Sequence, residues 1–136
     1  MVRVIADEKT AEAVVALVHR TYDAMSTPGS DIATIFDSPW MNVTGSGQGE
    51  LFTGDVVRVA ATTIASWGLR WKADEVTVWR HGDSAWAQIL GSVHVVREDT
   101  DEVVPYWTTG VFTRDDLGEW RWQYWGGSEP QAEAKV

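Results

Sequence analysis

Residues 69–127, LRWKADEVTVWRHGDSAWAQILGSVHVVREDTDEVVPYWTTGVFTRDDLGEWRWQYWGG, decide how this chain folds. Apolar and polar side chains alternate along them with the period of two that marks β-strands, and short polar clusters interrupt the alternation. Residues 81–84 form a tight turn between strands over 69–80 and 85–97, the acidic stretch 98–102 leads into a strand over 103–114, and 115–118 turn into a last strand over 119–125. The result is a four-stranded antiparallel meander. The apolar parity of its first strand changes near Asp74 and Glu75, as a β-bulge causes. Eight of the nine tryptophans lie between Trp67 and Trp125. So much indole on both faces of one sheet is unusual in water, and the expectation is that one face covers a core and a pocket while the other covers a partner subunit.

Upstream of the meander the period becomes helical. Ala11, Val14, Val15, Val18, Tyr22 and Met25 recur at three and four, one stripe of a helix over 7–25 capped by Asp7. Ser26, Thr27, Pro28 and Gly29 stop it. Ser30 is placed to cap a short second helix through Phe36, burying Ile32, Ile35 and Phe36, and Pro39 ends that segment. Residues 40–44 read as a strand, the glycines at 45, 47 and 49 connect it to a brief extended piece over 50–52, and Thr53 is placed to cap a third helix. That helix runs to about Trp67 with Val56, Val59, Ala60, Thr63, Ile64 and Trp67 on one face, and Gly68 closes it. The layout is α+β, with helices packed in a strongly curved antiparallel sheet. Residues 1–128 read as one domain and 129–136 as a polar tail.

Composition narrows the function. At 136 residues the chain is the size of one ordinary domain. Eleven basic against twenty acidic side chains give a net charge of −9, which repels phosphate backbones and anionic membranes, so neither nucleic acid nor membrane is an expected partner. No stretch approaches the roughly 18 apolar residues that span a bilayer, and the N-terminus lacks a signal-like apolar run, so a cytoplasmic location is expected. Cysteine is absent, which excludes disulfides and thiolate metal sites. No paired histidine spacing or inward carboxylate cluster suggests a metal, and no cofactor motif is present. The glycines of TGSGQGE (44–50) do not form Gly-x-Gly-x-x-Gly and are read as a turn.

Several strings, taken in order, resemble the nuclear transport factor two-like superfamily and, within it, the SnoaL-like proteins: TYDAM (21–25), DIATIF (31–36), TGSGQGELFTG (44–54), GDSAWAQ (82–88) and RDDLGEWRWQYWGGSEP (114–130). The resemblance implies a cone-shaped α+β barrel in which the sheet curls around three N-terminal helices and leaves a pocket open at one end. It also implies a dimer through the outer sheet face. It does not select a function, because the fold carries isomerases, cyclases, dehydratases, epoxide hydrolases and non-catalytic assembly domains.

By similarity to ketosteroid isomerases, whose last strand ends in a comparable Tyr-Trp, the side holding Trp125 is the concave one. With strict alternation this turns Trp86, Gln88, Leu90, Ser92 and His94 inward, together with Tyr106, Thr108, Gly110 and Phe112 and with Arg121 and Gln123. Ile89, Val93, Trp107, Val111, Trp120 and Trp122 are then expected on the outer, dimer-forming face. Trp40, Trp67 and Trp71 suit either core or cavity wall, with Trp67 assigned to the core. The isomerase roles look vacant: Thr21, Val43 and Gly110 stand where the tyrosine donor, the carboxylate base and the protonated aspartate are expected, and Tyr22 sits in the apolar stripe as core.

His94 is the remaining acid/base candidate, since imidazole takes and gives a proton near neutrality, although a lone strand histidine also serves structure. Arg121 is either solvated at the mouth or paired inside, with Glu50 as one partner. The expected function is binding of a largely apolar or aromatic small molecule by Trp40, Trp86, Gln88, Leu90, Ser92, Tyr106, Thr108, Phe112, Gln123 and Trp125. On this reading His94 assists an isomerisation, cyclisation or dehydration. The alternative is a non-catalytic dimerisation or assembly module.

Overall fold

The computed structural model describes residues 5–130; the tail expected over 129–136 lies mostly outside them. Helix α1 (Glu8–Met25) begins where Asp7 accepts the Thr10 amide at 2.9 Å and the Thr10 hydroxyl at 2.8 Å, a side-chain cap that relieves unpaired first-turn groups. A single turn, α2 (Ile32–Ile35), follows, then the short strands β1 (Asn42–Thr44) and β2 (Leu51–Thr53), helix α3 (Asp55–Ser66), and the meander β3 (Arg70–His81), β4 (Ser84–Arg97), β5 (Thr100–Arg114) and β6 (Trp120–Ser128). Two caps differ from expectation. Gly54, at φ 58, precedes α3 in place of Thr53, and Asp31 precedes α2 without a side-chain cap because Ser30 donates instead to the Ala24 carbonyl at 2.6 Å.

All six strands form one sheet in the order β2-β1-β6-β5-β4-β3. β1 runs parallel to β6 through Val43 opposite Trp125, which joins the early hairpin to the end of the meander. Two expectations are corrected here. The helices are not all N-terminal, since α3 follows the first hairpin, and the sheet does not close into a barrel: β2 and β3 are its edge strands, with Ile5 making an isolated bridge to Trp79 on the outer side of β3. α3 packs on β2 and on α2 and α1, so a helix stands where a closing strand ladder would.

The core lies between α1, α2 and the concave face. Val14, Val18, Tyr22 and Met25 of α1 join Ile32, Phe36, Val78, Ala85, Ala87, Ile89, Phe112, Trp122 and Trp125 in one buried cluster. The parity change in β3 is a bulge between Ala73 and Glu75. A second bulge was not visible in the sequence: Val111 pairs with Tyr124 but Phe112 pairs with Trp122, leaving Gln123 unmatched. This extra residue turns both Trp122 and Trp125 inward.

Two buried hydrogen bonds tie α1 to the sheet. The Trp122 indole donates to Thr21 Oγ1 at 2.9 Å, and Thr21 in turn donates to the Leu17 carbonyl at 2.6 Å. Tyr22 and Thr108 share a hydroxyl hydrogen bond of 2.8 Å. Replacing Thr21 by the near-isosteric valine strands the buried Trp122 N–H and is expected to cost about 1–3 kcal/mol in urea denaturation. Phe112→Ala, which empties a fully buried site, is expected to cost about 3–5 kcal/mol. Leu117→Ala, at a turn position 82% exposed, stays within about 0.5 kcal/mol of the parent. Similar losses in all three would show that the assigned core is wrong.

Candidate functional site

Where α1 and α2 stop filling the curved sheet, a cavity of about 510 Å³ remains. One wall is α3, whose Val56, Val59, Ala60, Thr63 and Trp67 border it. This is the stripe that periodicity placed on one face, of which Trp67 was assigned to the core; the α3 residues that are buried are Val57, Ala61 and Ala65, one position round the helix. Trp67 is 63% exposed and forms part of the mouth. The opposite wall is the concave sheet: Trp71 of β3, Val93 and Val95 of β4, Val104 and Tyr106 of β5, and Trp125 of β6. Val43 and Phe52 close the side toward the early hairpin.

The aromatic wall is built edge to face. Trp71 stands at 84° to Tyr106 with centroids 5.0 Å apart and at 78° to Trp125 at 6.1 Å, while Tyr22 backs Trp125 at 5.5 Å. Such packing holds the rings in place by ring quadrupoles as well as by area. Among the described residues the buried Trp71 indole N–H has no hydrogen-bond acceptor.

The polar groups gather at one end. Gly45, Ser46, Glu50, Tyr106 and Glu129 border the cavity there. A turn fixes Glu50: its carbonyl accepts the Gly45 amide at 2.7 Å, and its own amide donates to the Gly47 carbonyl at 3.2 Å. A Cβ at position 45 or 47 would overlap the Glu50 carboxylate, so the glycines of this loop serve to let that side chain fold back. Ser46 donates to Glu129 Oε1 at 3.3 Å. The Tyr106 hydroxyl occupies the space that a Cβ on residue 127 would take. Burial pushes the Tyr106 phenol above its ordinary value, and the nearby Glu50 and Glu129 carboxylates push the same way, so it is held as a neutral O–H donor.

Of the residues expected to line the cavity, Tyr106 and Trp125 do so. Thr108 and Phe112 share their inward face but lie deeper, in the core under α1. The β4 assignment is inverted: Ala85, Ala87, Ile89 and Val93 are buried, so Trp86, Gln88, Leu90, Ser92 and His94 fall on the convex face. The small Ala85 and Ala87 belong inside because α1 lies against this part of the sheet and leaves no depth for indole. His94, set between the cavity-lining Val93 and Val95, therefore faces away from the cavity. Trp107 is outward as expected. Ile89, Val93 and Trp122, expected outside, are inside, and Trp120 packs against the core beneath the guanidinium groups of Arg80 and Arg114. Trp40 is 78% exposed and borders no part of the cavity. Gln123 accepts a hydrogen bond from Ser38 at 3.1 Å. Arg121 pairs with Asp115 at 3.0 Å and lies near Asp37 and Glu119, away from Glu50.

Sequence reasoning missed Ser46, Glu129 and the α3 wall, and named Glu50 only as a partner for Arg121. The available signal was local: an acidic residue following three spaced glycines, and a helix stripe rich in valine but ending in an indole. No group of three or more potential metal ligands occurs among the described residues, and none of their helices is long and apolar enough to cross a membrane.

Comparison with known proteins agrees with this architecture. Residues 10–132 match the SnoaL-like domain family. Among curated proteins, none matches the chain. In structure it is similar to a candidate dehydratase of the NTF2-like family from Streptomyces avermitilis, at a TM-score of 0.79 and 16% identity over 92% of this chain and 99% of that one. It is also similar to an NTF2-like superfamily protein from Salmonella enterica, with a TM-score of 0.77 and 15% identity over 95% and 96% of the two chains. A third similar structure is the S. rosetta CaMKII hub, with a TM-score of 0.68 and 22% identity over 93% and 100%. At these identities the likeness establishes fold, and the domain match establishes kinship. The chain belongs to the SnoaL-like family and has the NTF2-like α+β fold.

Proposed function

We propose that this protein binds a small, largely apolar or aromatic molecule in the cavity between α3 and the concave face. The observation that carries the reading is an unfilled volume of about 510 Å³ with indole and aliphatic walls and a few polar groups at one end. Small-molecule sites have this size and this composition. Apolar walls supply affinity through area removed from water, and the polar end supplies orientation. If the molecule is also transformed, by isomerisation, cyclisation or dehydration, the cavity groups able to move a proton are Glu50 and Glu129, with Tyr106 as a donor; His94 is not among them. A chain without cysteine suits a reducing compartment, and a cytoplasmic location belongs to this reading.

A second role, assembly, is favoured by the convex face. Trp79 and Trp86 stack there at 12° with centroids 6.4 Å apart, and Trp107, opposite Leu90 further along the same face, is half exposed. Pairing two copies across this face would cover the indoles, and the S. rosetta hub offers a precedent for assembly by a protein of this fold.

Three measurements check these readings. Ala60→Trp places an indole in the cavity and is expected to weaken binding of aromatic probes by tenfold or more, an order-of-magnitude figure, with little change in the circular dichroism of the fold; undiminished binding would move the site elsewhere. Sedimentation should find a dimer that Trp86→Glu with Trp107→Glu dissociates, and a parent that is monomeric throughout would end the pairing proposal. The raised Tyr106 phenol gives a pH test. Its contribution to stability is complete below the unfolded value of ~10 and is lost as pH rises through the folded value, so the parent should lose more stability than Tyr106→Phe on going into strong alkali.

A further inference from the structure

The polar end of the cavity carries charge of one sign. Glu50 and Glu129 are its ionisable carboxylates, and no Lys, Arg or His is among the described residues that line the cavity. Neither carboxylate takes part in an ion pair with a described residue, although Arg121, Arg114, Arg80 and Arg20 are each matched to acidic partners elsewhere. Glu129 accepts the Ser46 hydroxyl, and the Glu50 carboxylate folds back over Gly45 and Gly47, where a Cβ would overlap it. Beyond this end the lining is aliphatic and aromatic, with Trp71, Tyr106 and Trp125 presenting rings. A carboxylate or phosphate entering here would meet two like charges, within a protein whose net charge is −9. An ammonium group would meet two acceptors and the negative faces of the rings.

Resting on the binding proposal above, we propose that the molecule taken up is an organic amine: an apolar or aromatic body lying along the indole and valine walls, with its ammonium group at the end bordered by Glu50 and Glu129. Because both carboxylates are exposed, the ammonium keeps part of its hydration and loses little on entry. The body contributes affinity and the head sets selectivity.

The test is calorimetric titration of the intact protein with three probes that share one aromatic body: naphthylmethylamine, naphthylmethanol and naphthoate, at neutral pH and low salt. The amine is expected to bind about fivefold to tenfold more tightly than the alcohol, and the carboxylate most weakly of the three. Added salt should shrink that spread. In Glu50→Gln combined with Glu129→Gln, the amine's advantage over the alcohol should disappear. An alcohol as tight as the amine, a carboxylate that binds best, or a preference that survives the double substitution would each overturn the amine assignment and leave the cavity as a binding site. Failure of all three probes to bind would overturn both proposals.

Discussion

The structure depends on how α1 is seated in the sheet. Trp122 is 1% exposed, and an indole N–H buried that deeply needs an acceptor. Thr21 supplies it from the helix and passes its own proton to the Leu17 carbonyl, so the contact ties the sheet to the helix without leaving a polar group unmatched. One residue on, Tyr22 reaches Thr108 on the neighbouring strand. These two bonds set the rotation of α1 about its axis, and with it which side chains fill the concavity. Around them the apolar cluster can pack in one arrangement, because sliding the helix would strand a donor in a region without water.

The same seating explains why a cavity remains. Along β5 the inward row runs Phe112, Gly110, Thr108, Tyr106, Val104, and the first three lie beneath the helix while the last two do not. Gly110 has no side chain because the Trp122 and Phe112 rings occupy that place. Past Thr108 the sheet continues to curve but α1 has ended, and α3 crosses at a distance that its valines and alanines do not bridge. Core and cavity are two ends of one surface, divided where helical cover stops. Tyr22, Trp71, Tyr106 and Trp125 stand at the division, and the edge-to-face packing of Trp71 on the other three keeps the wall upright without material behind it on the open side.

The two sheet faces divide the indoles by depth. Trp122 and Trp125 sit where helices and sheet leave room for a large ring, whereas Trp79, Trp86 and Trp107 occupy the convex face, where curvature spreads side chains apart. The inner residues of β4 against α1 are correspondingly small. His94 shares the outer surface, so the one histidine of the meander interior is separated from the cavity by the thickness of the sheet.

Much of this was legible in the residues. The Asp7 cap, the α1 stripe, the stop at Ser26 to Gly29, the meander with its turns, and the bulge at Asp74 all rest on local chemistry: side-chain oxygens near free amides, periods of 3.6 or two, and a parity change within one strand. What could not be read was which face of each strand looks inward. Alternation defines two faces for β4 and does not label them; the small face is inner because of α1, a neighbour more than sixty residues away in sequence. The Gln123 bulge has no glycine or proline to announce it and becomes visible only as a mismatch with Val111 and Phe112 across the ladder. The polar end of the cavity unites Glu50, Tyr106 and Glu129 from three separate segments, through β1 pairing with β6. Local sequence dictates the elements because their causes act within a few residues; the site arises from distant pairings, whose partners a single strand does not name.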